Sequence, residues 1–292
     1  VTAIYRSDDA RQSVEAGYRA LLDRWPVPST RTTLPTRHGD TFVLACGPED
    51  AAPVVLLHGA GFNSAAWAGD AALWARTHRL YAVDVLGEAG LSAPARPSLA
   101  SDAYAEWLDD VLDGLGVART AFVGASLGGW LALDYALRRP GRVRRVALLV
   151  PGGIGRQKYA AVLASAFLMP FGERGRRAAL DLVVGPRPSM EESADDPAML
   201  RALGDQLLLI QRGFRYRRDP LPTFTDDQLR GLAAPLLVVA GAKDRMLDSP
   251  GTARRVRQLL PDADVVLLPG VGHIPTGYAE PVHRFLTNGD PR

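Results

Sequence analysis

Ser126 lies at the centre of Gly124-Ala125-Ser126-Leu127-Gly128, a G-x-S-x-G pentapeptide. The apolar run Thr120 to Val123 precedes it, and the helix-like stretch Gly129 to Arg138 follows. A sharp turn from strand to helix forces its middle residue into strained backbone geometry, and the flanking glycines keep that turn clear of its neighbours. The serine oxygen is then held out at the carboxyl edge of a sheet, where a base can reach it. The strand before and the helix after separate this reading from an ordinary glycine-rich loop. The chemistry it points to is nucleophilic catalysis.

A serine hydroxyl is a weak nucleophile until a base takes its proton. The base is expected to be a histidine oriented by a carboxylate. Both should follow the serine in the chain, on loops at strand ends. Of the five histidines, His273 stands in Pro269-Gly-Val-Gly-His-Ile-Pro275, just past the last expected strand, among glycines that allow close approach. His283 falls inside the final expected helix, His38 in a hairpin turn and His78 in a connection. His58, after a strand and before Gly59, reads as a loop-shaping residue. For the acid, Asp244 closes Gly241-Ala-Lys-Asp244, immediately after the expected strand 235–240. Asp248 competes from four residues on, but Asp244 is nearer the strand end, where orientation is better fixed. The earlier strand end Leu149-Val150-Pro151 offers no carboxylate. Asp84 precedes the serine and reads as a structural carboxylate that accepts loop hydrogen bonds.

Acyl transfer also needs backbone N–H donors for the oxyanion of its tetrahedral intermediate. Leu127 is one expected donor, directly after the nucleophile and at the start of a helix whose dipole favours negative charge. The other belongs to His58-Gly59-Ala60-Gly61-Phe62, with Ala60 the first choice and Gly61 the second.

Positioning these groups requires a particular order of elements. Residues 7–25 read as an amphipathic helix and 31–46 as two strands around His38-Gly39-Asp40. From Pro53 the chain alternates: strand 54–57, helix 65–77, strand 80–84, helix 102–115 with Ser101 as its cap, the strand before Ser126, and strand 143–150. Strict alternation implies parallel strands with right-handed crossovers. It stops over 152–225, where helical stretches near 157–169, 173–184 and 195–214 are separated by Gly and Pro. It resumes with strand 235–240, a helix near 250–260, strand 263–268 and a last helix near 277–287. The expected organisation is therefore a core in two parts, 1–151 and 226–292, with a helical cap over 152–225.

The 292 residues are 47% hydrophobic and 23% charged with a formal net charge of +2, which is ordinary for a soluble globular protein. That mild balance argues against nucleic acid as a partner. The single cysteine, Cys46, cannot form an internal disulfide. Arg6, Asp8, Asp9 and Arg11 stand where a signal peptide would be apolar. The longest apolar stretch, Ala160 to Phe171, is too short for a bilayer and contains Pro170. A cytoplasmic monomer or homodimer with no membrane partner is the expectation. Neither a metal-ligand cluster nor a phosphate-cradling loop is visible, so no metal and no cofactor are expected.

Taken together, these segments resemble the α/β-hydrolase superfamily from about residue 31 onward: the H-G loop at His58-Gly59, D-x-x-G at Asp84 to Gly87, the elbow, the acid loop ending at Asp244, and Gly272-His273. The resemblance implies an α/β-hydrolase fold, with an eight-stranded, mostly parallel sheet flanked by helices and a helical cap inserted after the sixth strand. It also implies a Ser126–His273–Asp244 triad. A narrower similarity, to bacterial carboxylesterases of the carboxylesterase NP type, is carried by Tyr81 to Gly87, Trp107 to Gly116 and Ser126 to Gly129, and fades in the cap. Two departures stand out. Asp84-Val-Leu-Gly-Glu88-Ala-Gly-Leu-Ser92 is one residue longer than the frequent D-x-x-G-x-G-x-S and carries Glu88. Ala125 replaces a frequent histidine.

A serine nucleophile excludes the branches that use aspartate, which resemble epoxide hydrolases and haloalkane dehalogenases. The expected reaction is hydrolysis of a small-molecule carboxylic ester through an acyl-enzyme. Thioester, lactone and carbon–carbon hydrolysis and cofactor-free perhydrolysis are alternatives on the same triad, and a non-catalytic small-molecule receptor is the alternative from another class. Gly61, Phe62, Trp130, Phe167, Met169 and Ile274 are the expected pocket residues, with the apolar face of 161–169 turned toward substrate. The clusters Arg174, Arg176, Arg177 and Arg212, Arg215, Arg217, Arg218 read as solvated helix faces.

Overall fold

A computed structural model describes residues 4–158, 160–186 and 197–288. Eight strands build one sheet: β1 (Ser29–Leu34), β2 (Thr41–Cys46), β3 (Ala52–Leu57), β4 (His78–Val83), β5 (Thr120–Ala125), β6 (Val143–Leu149), β7 (Leu236–Gly241) and β8 (Asp264–Leu268). Their spatial order is β1-β2-β4-β3-β5-β6-β7-β8. β2 pairs antiparallel with both β1 and β4, and every pair from β4–β3 to β7–β8 is parallel. Local chain length explains the split. A short turn through Gly39, whose φ is +127°, can only return the chain antiparallel. The later strands are separated by helices that carry the chain back to the same end.

The helices are α1 (Asp8–Leu22), α2 (Ala68–Trp74), α3 (Ala103–Gly114), α4 (Leu127–Arg138), α5 (Ala160–Ser165), α6 (Gly172–Val184), α7 (Pro197–Gly213), α8 (Asp226–Arg230), α9 (Ser249–Leu259) and α10 (Ala279–Thr287). They cover both faces of the sheet. Val43, Val55, Leu57, Phe122 and Val238 pack under Trp107 and Leu108 of α3, Leu131 of α4 and Val256 of α9. Their strand neighbours Leu44, Val54, Leu56, Val123 and Val239 face Leu22 of α1, Trp74 of α2 and Phe285 of α10. The period-2 alternation of strand side chains thus feeds two cores, and strands buried on both faces read as unbroken apolar runs.

Two expected helices are part 3₁₀ in the structure. The stretch 65–77 begins as a 3₁₀ turn, Ser64–Trp67, where the Asn63 side chain accepts the N–H of Ala65, and only then becomes α2. The stretch 157–169 is α5 followed by the 3₁₀ turn Met169–Phe171, because Pro170 and the positive φ of Gly172 interrupt it.

Between β6 and β7 the described residues hold the helices α5, α6, α7 and α8 and no strand of the sheet. This insertion is tied to the rest of the chain at several places. The Gln206 side chain of α7 donates to the Val14 carbonyl of α1 at 3.0 Å, and Ile210 and Phe214 pack on Ile4 and Val14. Gln157 pairs with Leu247 in an isolated antiparallel bridge. At the end of α6, the Val184 carbonyl accepts the N–H of His273 at 2.7 Å.

Candidate active site

β5 ends at Ala125 and α4 begins at Leu127, so a single residue makes the turn. That residue, Ser126, has φ +51° and ψ −108°, a left-handed strained conformation for a non-glycine residue. The glycines make it feasible by close backbone approach. A Cβ on Gly124 would lie 2.4 Å from the Gly128 carbonyl oxygen, and one on Gly128 would lie 2.0 Å from that of Leu57. The turn is pinned by the Ser126 N–H, which donates to the Leu149 carbonyl at 2.9 Å. Val150, the next residue of that neighbouring strand end, is also strained, at φ +43°. Nothing in the sequence signalled it, since a β-branched residue disfavours that region.

The other two groups come from loops after β7 and β8. His273 Nε2 lies 3.2 Å from Ser126 Oγ, and its Nδ1 lies 2.8 Å from Asp244 Oδ2. An ionised carboxylate only accepts, so Nδ1 carries the hydrogen and Nε2 is left free to accept from the serine. Asp244 is fully buried as a side chain, while the His273 side chain keeps 11% of its surface exposed. Burial opposes ionisation of Asp244. The hydrogen bond and charge of His273, with the N–H groups of Leu247 and Met246 on Oδ1, outweigh it and hold the carboxyl below its ordinary value. Asp248 caps α9 instead, accepting the Gly251 N–H at 3.1 Å. The insertion braces both loops. Lys158 Nζ donates to the Asp244 carbonyl, and the Gly272 N–H donates to the Pro186 carbonyl.

The loop 58–64 stands beside the serine: a Cβ on Gly59 would lie 3.5 Å from Ser126 Cβ. It rests on the loop after β4 through several buried bonds. His58 Nε2 accepts the Val85 N–H at 2.9 Å, so Nδ1 carries the hydrogen and donates to Gly59 O, and burial lowers the imidazole pKa in keeping with a neutral ring. Asp84 accepts from Tyr18 Oη, from the Ser64 N–H and Oγ, and from the Leu91 N–H, the structural role its place before the serine suggested. The Gly61 N–H donates to Glu88 Oε2 at 2.6 Å. That removes Gly61 from the two donors considered in this loop. Ala60 is exposed, and Leu127 is the buried first residue of α4.

The expected pocket residues are scattered. Phe62 packs on the cluster of Ile4, Val14, Ala89, Ile210 and Phe214. Trp130 is 2% exposed, stacks on Phe224 and donates to the Pro222 carbonyl, so it holds the far end of the insertion. Phe167 is 80% exposed: α5 ends at Ser165, so 161–169 does not form one helical face turned inward. The Met169 side chain lies outside the described residues. Ile274 is half-buried beside His273. The arginine clusters are only partly solvated faces. Arg177 and Arg212 share Glu173, and Arg217, with 5% of its side chain exposed, donates to Tyr104 Oη at 2.8 Å. Among the described residues there is no group of three or more His, Cys, Asp or Glu able to hold a metal, and no helix long and apolar enough to cross a membrane.

An elbow serine on a parallel sheet, with acid and histidine loops after the next strands, is the arrangement of the alpha/beta hydrolase family. The chain matches that family over residues 54–286 and belongs to it. Among its relatives is an uncharacterized carboxylesterase, nap, of Bacillus subtilis (strain 168). The two are 33% identical over 92% of this chain and 90% of that protein. Carboxylesterase YbfK of the same organism is 30% identical over 88% and 86%. The crystal structure of naproxen esterase (carboxylesterase NP) from Bacillus subtilis superposes with a TM-score of 0.80, at 29% identity over 96% of this chain and 99% of that one.

Proposed function

We propose that the chain is a serine esterase that cleaves a small-molecule carboxylic ester through an acyl-enzyme. The observation that carries this reading is the relay Asp244–His273–Ser126 at 2.8 and 3.2 Å on a strained elbow. The carboxylesterases nap and YbfK, similar over most of their length, support the ester as substrate class. His273 takes the proton of Ser126 as Oγ attacks the acyl carbon. The N–H groups of Ala60 and Leu127 receive the oxyanion, the latter at the N-terminus of α4. His273 then protonates the departing alcohol and activates the water that releases the acid. Asp244 holds the imidazole in the working tautomer and stabilises its cation. The insertion 152–225 acts as a cap that closes over the acyl group.

The test is hydrolysis of p-nitrophenyl esters from acetate to decanoate, with Ser126→Ala beside the wild type. Serine-dependent turnover with a chain-length optimum is expected, and kcat should fall by about 10⁴–10⁶ in the variant. Turnover that survives the substitution would remove Ser126 from the mechanism.

A further inference from the structure

Glu88 is 1% exposed, and among the described residues the partner of its carboxyl group is the N–H of Gly61, at 2.6 Å on Oε2. Its other oxygen, Oε1, is buried with no hydrogen-bond partner among the described residues. A buried carboxyl group held by one backbone N–H is costly unless something gains from its placement. What it holds is the residue after Ala60. The Gly61 backbone is itself constrained, with φ at +65° and the Tyr216 ring against its α-carbon: a Cβ there would lie 2.0 Å from that ring. Other bonds to the loop fall on His58, Asn63 and Ser64, at its two ends. The Glu88 bond is made at its crest. Arg96 and Arg217 lie near enough to favour the carboxylate, while burial pushes it up to about 7.

From this geometry we infer that Glu88 is a positioning residue for the oxyanion loop, fixing the peptide that follows Ala60 so that the Ala60 N–H is held toward Ser126. It touches no reacting atom. Its effect is on the stabilisation of the transition state, and it rests on the serine-esterase reading above. Because the peptide unit is planar, holding the Gly61 N–H also holds the Ala60 carbonyl, which restrains ψ of Ala60 and through that residue the preceding peptide that carries the Ala60 N–H. Loss of one whole oxyanion donor costs roughly 10²–10³ in kcat, so a misplaced donor costs a part of that.

Three variants separate position from charge and from folding. Glu88→Gln keeps a carbonyl acceptor in place. Glu88→Asp keeps the charge but withdraws the acceptor by one methylene. Glu88→Leu removes the acceptor. For each, kcat and KM on a p-nitrophenyl ester, the inhibition constant of a trifluoromethyl ketone and the melting temperature are measured. The ketone forms a tetrahedral oxyanion on the serine, and KM reports ground-state binding. We expect Asp and Leu to lower kcat about 10–100-fold. The ketone should weaken in parallel, with KM within about threefold, and Gln should stay within about fivefold of wild type. If Leu proves unstable, the Asp–Gln contrast carries the same discrimination. Asp at wild-type activity beside an impaired Gln, or a ketone constant that does not follow kcat, would overturn the inference. A wild type inert to esters and to a fluorophosphonate would overturn the esterase reading with it, whereas a reactive wild type with unaffected variants overturns this inference alone.

Discussion

Ser126 Oγ and His273 Nε2 stand 3.2 Å apart although 147 residues of chain separate them. The distance is set by backbone rather than by the side chains alone. The Ser126 N–H is held by Leu149 of β6, and the His273 N–H is held by Val184 at the end of α6. Groups that act as one unit lose function as one unit. His273→Ala should therefore cost kcat about as much as Ser126→Ala, roughly 10⁴–10⁶, and the double variant little more. Steady-state kinetics of the three proteins decides it. A double variant slower by the product of the single losses would show two groups acting separately.

Asp244 and Asp248 give a sharper comparison, because both are carboxylates on one short loop. Asp244 accepts from His273, Met246 and Leu247, while Asp248 accepts from Gly251 as a helix cap. Asp244→Asn presents an amide to the Nδ1 position and favours the wrong tautomer, so kcat should fall by about 10³–10⁴. Asp248→Asn keeps a capping oxygen and should leave kcat within about twofold and stability within about 0.5 kcal/mol. A larger loss in the Asp248 variant would move the acid to that position.

The same loops show where the sequence speaks and where it is silent. Ser126, His273 and Asp244 are legible because each follows a short apolar run of strand length, and strand ends converge on one edge of a parallel sheet. Asp84 is legible for the same reason. Glu88 was visible only as a departure from the usual spacing, since its partner Gly61 is brought to it by the packing of two loops. The pocket residues were the least legible. Phe167 and Trp130 lie in apolar stretches, but which side such a stretch turns inward depends on where Pro170 and Gly172 break the chain and on what Pro222 and Phe224 offer from the far end of the insertion.

Glycine substitutions separate tight packing from mere composition. A Cβ on Gly128 would meet the backbone carbonyls of Leu57 and His58 at 2.0 and 2.6 Å, and neither can yield without moving β3. Gly128→Ala should destabilise the protein by about 3 kcal/mol. Gly141 has nothing within 4 Å of the same atom, so Gly141→Ala should be near neutral. Urea unfolding of both variants tests this. Equal midpoints would mean that the elbow has room the geometry denies.

Asp70 on α2 is buried, and Tyr278 Oη, five residues past His273 in the chain, donates to it at 2.8 Å. Burial pushes its carboxyl up to about 7 from an ordinary 3.8, with the Tyr278 hydrogen bond opposing the shift only in part. Between those pH values the folded protein keeps a proton that the unfolded chain has released. Its contribution to stability is therefore fully present below about pH 4 and declines as pH rises to about 7. Three pKa units correspond to about 4 kcal/mol at most. Other groups titrate as well, so the informative quantity is the difference between wild type and Asp70→Asn, which cannot titrate there. Unfolding free energies taken in urea from pH 4 to pH 8 should show the variant gaining on the wild type across that range, with the gain levelling off above pH 7. Parallel profiles would mean that Asp70 enters the folded state already ionised.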